Sequence, residues 1–168
     1  MAVDVKTTSL DEAVADDPAV LERVVAYKES LVQFKEAKRA AYPRSLGSDQ
    51  ENFLADRTCK NCHEDAWNAY VATGHYRAYA TIRREGQGSE PECLSCHTTG
   101  YRYLNGYADE SPYNRLINVQ CEACHGYGTE HARDGRWGDL AKDSCVTCHD
   151  QENSPNFDYA TYWAKIQH

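Results

Sequence analysis

Hydrophobic and polar residues alternate with a helical period near the start of the chain. Asp17 followed by Pro18 is typical of a helix N-terminus, and apolar residues then recur at helical spacing until Pro43 ends the pattern. These apolar positions are Val20, Leu21, Val24, Val25, Leu31 and Val32. They predict one amphipathic helix, roughly Pro18 to Ala41, within an N-terminal arm of residues 1–50. Such a helix either covers a core or docks in a larger assembly.

Residues 51–168 have a different pattern, with short apolar segments separated by glycines and polar turns. We expect short helices and loops there, a mainly α domain with little regular structure. Near the C-terminus, Asp158 precedes a helical stretch whose apolar face consists of Tyr159, Tyr162, Trp163 and Ile166. The strand pattern is limited to Tyr101 to Leu104 and Leu116 to Val119, which predicts a small hairpin at most.

The composition is poor in the residues that normally build a core. The 168 residues include 9 Leu, 3 Ile, 10 Val and 3 Phe, about 15% in all, which is less than a charged chain usually needs to fold. Small domains with so little apolar surface are usually completed by disulfides, metals or prosthetic groups. The eight Cys and seven His residues are therefore the candidates for that role.

The charge excludes some classes of partner. There are 26 acidic and 18 basic residues, a net charge of −8, and no basic cluster that would favour nucleic acid or anionic lipid. We expect partners with positive patches. No apolar run approaches the roughly 18 residues of a membrane span, and residues 1–10 lack the apolar segment of a signal peptide. Either a signal was removed, or the sequence is the terminal part of a longer chain.

The eight Cys form four pairs, and His follows each pair at once. The motifs are Cys59, Cys62 and His63; Cys93, Cys96 and His97; Cys121, Cys124 and His125; and Cys145, Cys148 and His149. The C-x-x-C-H spacing suits covalent haem, because the two thiols add to the vinyl groups of one porphyrin edge while the next imidazole reaches the iron. The sequence thus predicts four covalently bound haem c groups, with the iron of each held by the motif His.

Two other interpretations use the same thiols. A pair of Cys₄ zinc sites would also contain C-x-x-C units, and four disulfides would suit an exported protein. Neither needs the His residues. Haem attachment through this motif occurs outside the cytoplasm, so we expect a periplasmic or extracellular location. Four haems in 168 residues would lie close together, and electrons could pass between them without moving parts.

The number of possible axial ligands is one short. Four low-spin irons would need eight strong ligands, whereas the chain has seven His and a single Met at position 1. Beyond the four motif residues, His75, His131 and His168 remain as candidate distal ligands. His75 is twelve residues after His63 and cannot easily wrap to the opposite face of the same porphyrin, and the same holds for His131, six residues after His125. Each should therefore serve a haem bound elsewhere in the chain.

Residues around the motifs resemble a known family. The first motif is followed by Trp67, Tyr70, Thr73 and His75, and the second by Thr99, Gly100 and Tyr101. The stretch around the third motif, from Val119 to His131, follows the family's pattern, except that Tyr127 stands where Pro is usual. In these features the chain from about Arg57 to His168 resembles the tetrahaem cytochrome c-554 family. The resemblance implies a multihaem cytochrome c fold, and the N-terminal helix has no counterpart in it.

The resemblance also implies a ligand assignment. In that family three haems are held by two His each, and the second in sequence is five-coordinate. Carried over, His131 would complete the haem of His63, His168 that of His125, and His75 that of His149. The haem of His97 would stay open.

Three functions remain in competition. The first is electron transfer between redox proteins that have basic docking surfaces. The second is an enzyme that reduces or oxidises nitric oxide, nitrite or hydroxylamine at the open haem, where proton delivery could come from side chains flanking the second motif. Those side chains are Glu90, Glu92, Tyr101 and Arg102. The third is a module of a larger electron conduit or of a fused exported enzyme. We predict the first, and assign no catalytic residue.

Overall fold

The computed structural model describes residues 5–7, 14–38, 52–108, 114–136 and 143–168, without the helix side chains at 32 and 35–38. The chain divides into two compact units, Met1–Arg39 and Ala40–His168. The boundary that we predict between residues 50 and 51 lies outside the described residues, as do Ala41 and Pro43. That boundary stays a prediction.

The first unit contains helix α1 (Pro18–Lys38), in the place that the sequence predicts. Asp17 caps it, because its Oδ1 accepts the backbone N–H groups of Ala19 at 2.8 Å and Val20 at 3.1 Å. Four apolar side chains of its expected buried face are exposed: Val20, Leu21, Val24 and Val25. The Asp17 cap is a local feature that specifies where α1 begins.

The second unit consists of short helices joined by turns. They are α2 (Asp56–Lys60), α3 (Glu64–Val71), α4 (Ala78–Arg84), α5 (Pro91–His97), α6 (Cys121–His125), α7 (Thr129–Asp134), α8 (Asp143–Val146) and α9 (Tyr159–Trp163), with a 3-10 turn at His75–Arg77. Asp158 caps α9 as predicted, because its Oδ1 accepts the N–H of Thr161 at 2.9 Å. The expected mainly helical fold is confirmed. None of the described helices is long and apolar enough to cross a membrane.

The predicted hairpin is wrong. Within the described residues there is no strand; the second segment instead meets the chain just before the first, in an isolated antiparallel bridge between Thr98 and Ile117. Asn118 takes a positive φ of 74°, which bends the chain away from a ladder. Side-chain bonds replace the ladder: Thr99 Oγ1 donates to the Asn118 carbonyl at 2.8 Å and accepts the Gln120 N–H at 2.9 Å.

The buried core that the described residues of the second unit form is small. Its buried apolar members are Ala55, Tyr79, Ile82, Leu94, Tyr107 and Leu116. Two of the six are tyrosines, and four polar residues are buried as well: Thr98, Thr99, Gln120 and Glu122. This agrees with the shortage of aliphatic residues, and polypeptide packing alone gives this unit little apolar burial.

Two glycines allow a close crossing of the loop after α5. Gly100 has a φ of 71°, and a Cβ there would lie 2.5 Å from the Phe53 ring. A Cβ at Gly106 would lie 1.7 Å from the Gly100 carbonyl oxygen. Phe53 in turn packs on Tyr127, with ring centroids 4.4 Å apart. The loop after the second motif thus packs against Phe53, which precedes the first motif. Phe53 also connects it to Tyr127 in the loop after the third motif.

Candidate haem-binding site

Each C-x-x-C-H motif is built on one short helical turn. In the first and fourth motifs, the His63 N–H donates to the Cys59 carbonyl at 3.0 Å and the His149 N–H to the Cys145 carbonyl at 2.9 Å. In the second and third, α5 and α6 end at the motif His. Residues four apart on a helix lie on the same face, so each motif presents a Cys and its imidazole to the same side.

Six of the seven imidazoles form facing pairs. The ring centroids are 5.8 Å apart for His63 and His131, 6.0 Å for His75 and His149, and 6.0 Å for His125 and His168. Each pair joins a motif His to one of the three His residues outside the motifs. A metal ion about 2 Å from each of two imidazole nitrogens requires ring centres about 6 Å apart, so the spacing fits an iron held between them.

His97 is the motif His that belongs to none of these pairs. Its Nδ1 lies 2.7 Å from the Ala78 carbonyl oxygen, and His168 Nδ1 lies 2.9 Å from the Ile166 carbonyl oxygen. A carbonyl oxygen only accepts, so Nδ1 must carry the proton in both rings. This leaves Nε2 free to bind a metal, and such a bond through the other ring nitrogen is usual for metal-ligating His.

Burial keeps several of these imidazoles in the metal-binding form. It lowers the pKa of His75, His125 and His149, and the neighbouring His168, His131 and His63 lower that of His125 further. Neutral imidazole is the form that coordinates metal.

Thiols of different motifs lie next to one another. A contact between the thiols of Cys59 and Cys121 raises the pKa of the former and lowers that of the latter. A similar contact with Cys148 lowers the pKa of Cys96 to about 6. Burial, and then the nearby Cys145, raises the pKa of Cys124 to about 11. The first motif therefore neighbours the third, the third neighbours the fourth, and the fourth neighbours the second.

Comparison with known proteins identifies the central part of this site. Residues 58–126, which contain the first three motifs, match the family described as cytochrome c554 and c-prime. This stretch is similar to the cytochrome c-554 family, whose description is that of a c-type cytochrome.

A curated relative extends the match. The chain is 28% identical over 108 residues to cytochrome c-554 of Nitrosomonas europaea. This matched stretch covers 55% of this chain and 46% of the relative. The chain thus spans about half the length of that relative. No solved structure matches the chain. Across the described ranges, no group of three or more His, Cys, Asp or Glu side chains could hold a bare metal ion.

Two side chains of this segment, Gln120 and Glu122, anchor the third motif; the sequence placed them in the family pattern but gave them no role. Glu122 is 2% exposed, and its carboxylate accepts the N–H groups of Leu54 at 3.0 Å, Ala55 at 2.9 Å and Gly128 at 2.7 Å. Burial raises the pKa of Glu122, and these backbone donors oppose the shift. Glu122 thus ties α6 to the chain before the first motif and to the following glycine loop.

Gln120 acts beside it. Its Oε1 accepts the Asp56 N–H at 2.9 Å, and its Nε2 donates to the carbonyls of Arg115 at 2.5 Å and Ile117 at 2.8 Å. Charged and amide side chains are mostly exposed in proteins, which is why composition alone gave no reason to single them out. The Val-Gln-Cys-Glu pattern around the third motif was the available signal.

Aromatic residues shape the segment between the first motif and His75. Trp67, Tyr70 and Tyr76 form a cluster with ring centroids 5.4 to 6.1 Å apart. Thr73 Oγ1 donates to the Tyr70 carbonyl at 2.7 Å and closes the turn that leads to His75. The cluster and the turn together hold His75 away from His63 and opposite His149.

Proposed function

We propose that this chain holds four covalently attached haem c groups and relays electrons between redox partners outside the cytoplasm. The pairing of the imidazoles supports this best, because facing rings are what iron ligation requires and neither zinc thiolate sites nor disulfides need them. The four motifs supply the attachment thiols. The cytochrome c-554 family supports haem and electron transfer, while the number of haems and the relay are our proposal.

The chain supplies three pairs of axial ligands in this proposal. They would be His63 with His131, His125 with His168, and His149 with His75. His97 would hold iron without a partner from these pairs. Bound haem supplies one-electron chemistry. The two thiols of each motif would hold the haem, and hydrogen bonds at Nδ1 orient the imidazoles of His97, His149 and His168.

The thiol contacts suggest an order for the relay. Cys59 contacts Cys121, Cys124 lies near Cys145, and Cys148 contacts Cys96. The first motif therefore lies beside the third, the third beside the fourth, and the fourth beside the second. In this order the first and second motifs are at the two ends. Electrons that enter at one end would leave at the other, and the one-sided His97 lies at an end.

The charge of the chain supports basic partners. With 26 acidic and 18 basic residues, and two further carboxylates on each haem, the holoprotein would be strongly negative. We expect docking to redox proteins with basic surfaces and a rate that falls with added salt.

Intact mass under denaturing conditions tests the proposal. We expect the mass of the chain plus four haems, with no thiol that reacts with an alkylating reagent. A mass equal to the chain alone, with or without labile zinc, would overturn it. So would four disulfides.

Electron paramagnetic resonance of the oxidised protein tests the ligand set. We expect three low-spin haems and one high-spin haem. His75→Ala should convert a second haem to high spin, whereas Arg77→Ala, an exposed change in the same turn, should not. Four low-spin signals in the parent protein would mean that another group completes the iron of His97.

The isolation of His97 favours one second candidate, an enzyme acting on a small nitrogen compound at that haem. Catalysis there needs a proton donor; of the four candidates beside the second motif, Glu92 and Arg102 are exposed, while Glu90 and Tyr101 are half-buried. Mixing the reduced holoprotein with nitric oxide, nitrite or hydroxylamine under a steady electron supply separates the two functions. Sustained turnover at tens per second, within the usual enzyme range of about 1 to 1,000 per second, would make it an enzyme.

A further inference from the structure

The imidazole of the fourth motif is held on several sides by one stretch of chain. His149 Nδ1 lies 2.9 Å from Ser154 Oγ. The Phe157 ring stacks on the imidazole, with centroids 5.0 Å apart and planes 10° from parallel, and the Tyr162 ring meets it edge-on at 5.3 Å. The imidazole of His75 faces it at 6.0 Å.

A single turn delivers both Ser154 and Phe157. The Asp150 carboxylate accepts the N–H groups of Glu152 at 3.0 Å and Asn153 at 2.7 Å. The Ser154 N–H donates to the Asp150 carbonyl at 2.8 Å, and the Phe157 N–H to the Ser154 carbonyl at 2.9 Å. The position of the Ser154 hydroxyl is therefore fixed by the backbone immediately after the motif.

We infer that Ser154 is a positioning residue, which holds the proton of His149 on Nδ1, leaves Nε2 for iron, and thereby lowers the reduction potential of that haem. This inference rests on the proposed function. The direction of the bond follows from ligation: a hydroxyl donating to Nδ1 would place the ring proton on Nε2 and block the metal. His97 and His168 also donate from Nδ1, in their case to backbone carbonyls.

The effect on potential follows from the basicity of the imidazole. A ligand that donates its second N–H to an acceptor becomes a stronger base, and second-shell bonds of this kind tune the metal. A stronger donor stabilises ferric iron more than ferrous iron. Removing the acceptor oxygen of Ser154 should therefore raise the potential of the haem that His149 holds. This turn places no second hydroxyl on His149 that could replace the lost acceptor.

The test is a spectroelectrochemical titration of the holoprotein and of Ser154→Ala, after intact mass has shown four haems in each. We expect one of four midpoint potentials to rise while the other three stay in place, with that haem still low-spin. Ser154→Thr, which keeps a hydroxyl, should restore the parent value. Ser30→Ala, whose hydroxyl donates to the Tyr27 carbonyl in α1, is the control for removing a hydroxyl elsewhere.

Unchanged potentials in Ser154→Ala would overturn the inference, as would equal shifts in Ser154→Ala and Ser154→Thr. Neither result would touch the proposed function, since the haem count and the low-spin signals of the parent protein are measured separately. A parent protein without four haems would instead overturn the proposed function, and this inference with it.

Discussion

The two units of the chain become helical by different means. In the first, α1 runs for 21 residues from an Asp cap and a proline, and Val20, Leu21, Val24 and Val25 are exposed. In the second, the described helices have four to eight residues, shorter than the roughly 12 to 15 at which isolated helices are even marginal in water. The features that the structure shows at the start of α1 are local ones, the cap and the proline. The short helices depend on anchors from distant parts of the chain, such as Glu122, and in our proposal on haem.

The largest expected effect is that of leaving haem out. A chain with all eight Cys replaced by Ser cannot attach haem, and we expect it to keep the helical signal of α1 while the second unit loses cooperative unfolding. Urea titration followed by circular dichroism measures this. A sharp transition with the amplitude of the full helix content would show that the second unit folds without haem, and the contrast between the units would disappear.

A smaller but still severe effect is expected at the loop crossing. Gly106→Ala would place a Cβ 1.7 Å from the Gly100 carbonyl oxygen, and relieving that clash should cost at least about 3 kcal/mol of unfolding free energy. Gly74→Ala is the control, because nothing lies within 4 Å of its Cβ position and its backbone is already helical. Denaturant titration of both holoproteins makes the comparison, and equal midpoints would contradict the crossing.

Glu122→Gln should have a moderate effect. The amide keeps one oxygen acceptor but cannot accept at Nε2, so at least one of the three backbone N–H groups loses its partner, at about 1 to 3 kcal/mol. Glu130→Gln, an exposed change in α7, should change stability by less than about 0.5 kcal/mol. If the two variants unfold at the same denaturant concentration, the anchoring role of Glu122 is wrong.

The smallest effect is expected in the first unit. Asp17→Ala removes the acceptor for two N–H groups of α1 and should cost that helix about 1 kcal/mol. Amide hydrogen exchange should become faster in its first turn, with the second unit unchanged. Asp16→Ala is the neighbouring control. An equal effect from both would mean that charge near the helix end, rather than the cap, is responsible.

The sequence predicted the features that arise from neighbouring residues. The cap at Asp17, the start of α1 and the cap of α9 by Asp158 each need only a few consecutive residues. The four motifs could be recognised because their chemistry depends on fixed short spacing. The facing of His75 and His149 followed from the family resemblance, and the structure brings those rings together without establishing ligation.

Features that depend on distant contacts were not predicted. The segments 101–104 and 116–119 have strand-forming residues, but the positive φ of Asn118 and the side-chain bonds of Thr99 and Gln120 prevent a ladder. The burial of Glu122 depends on backbone donors 67 and 68 residues earlier in the chain. Local periodicity contains no information about either.

The close approach of thiols from different motifs has a consequence for how the protein is made. Cys59 contacts Cys121, and Cys96 contacts Cys148, so wherever a haem-free chain samples this arrangement in an oxidising compartment, its thiols are placed for disulfide formation between motifs. Haem attachment then competes with oxidation for the same sulfur atoms. A reductant that keeps these thiols reduced until haem is attached should therefore raise the yield of holoprotein.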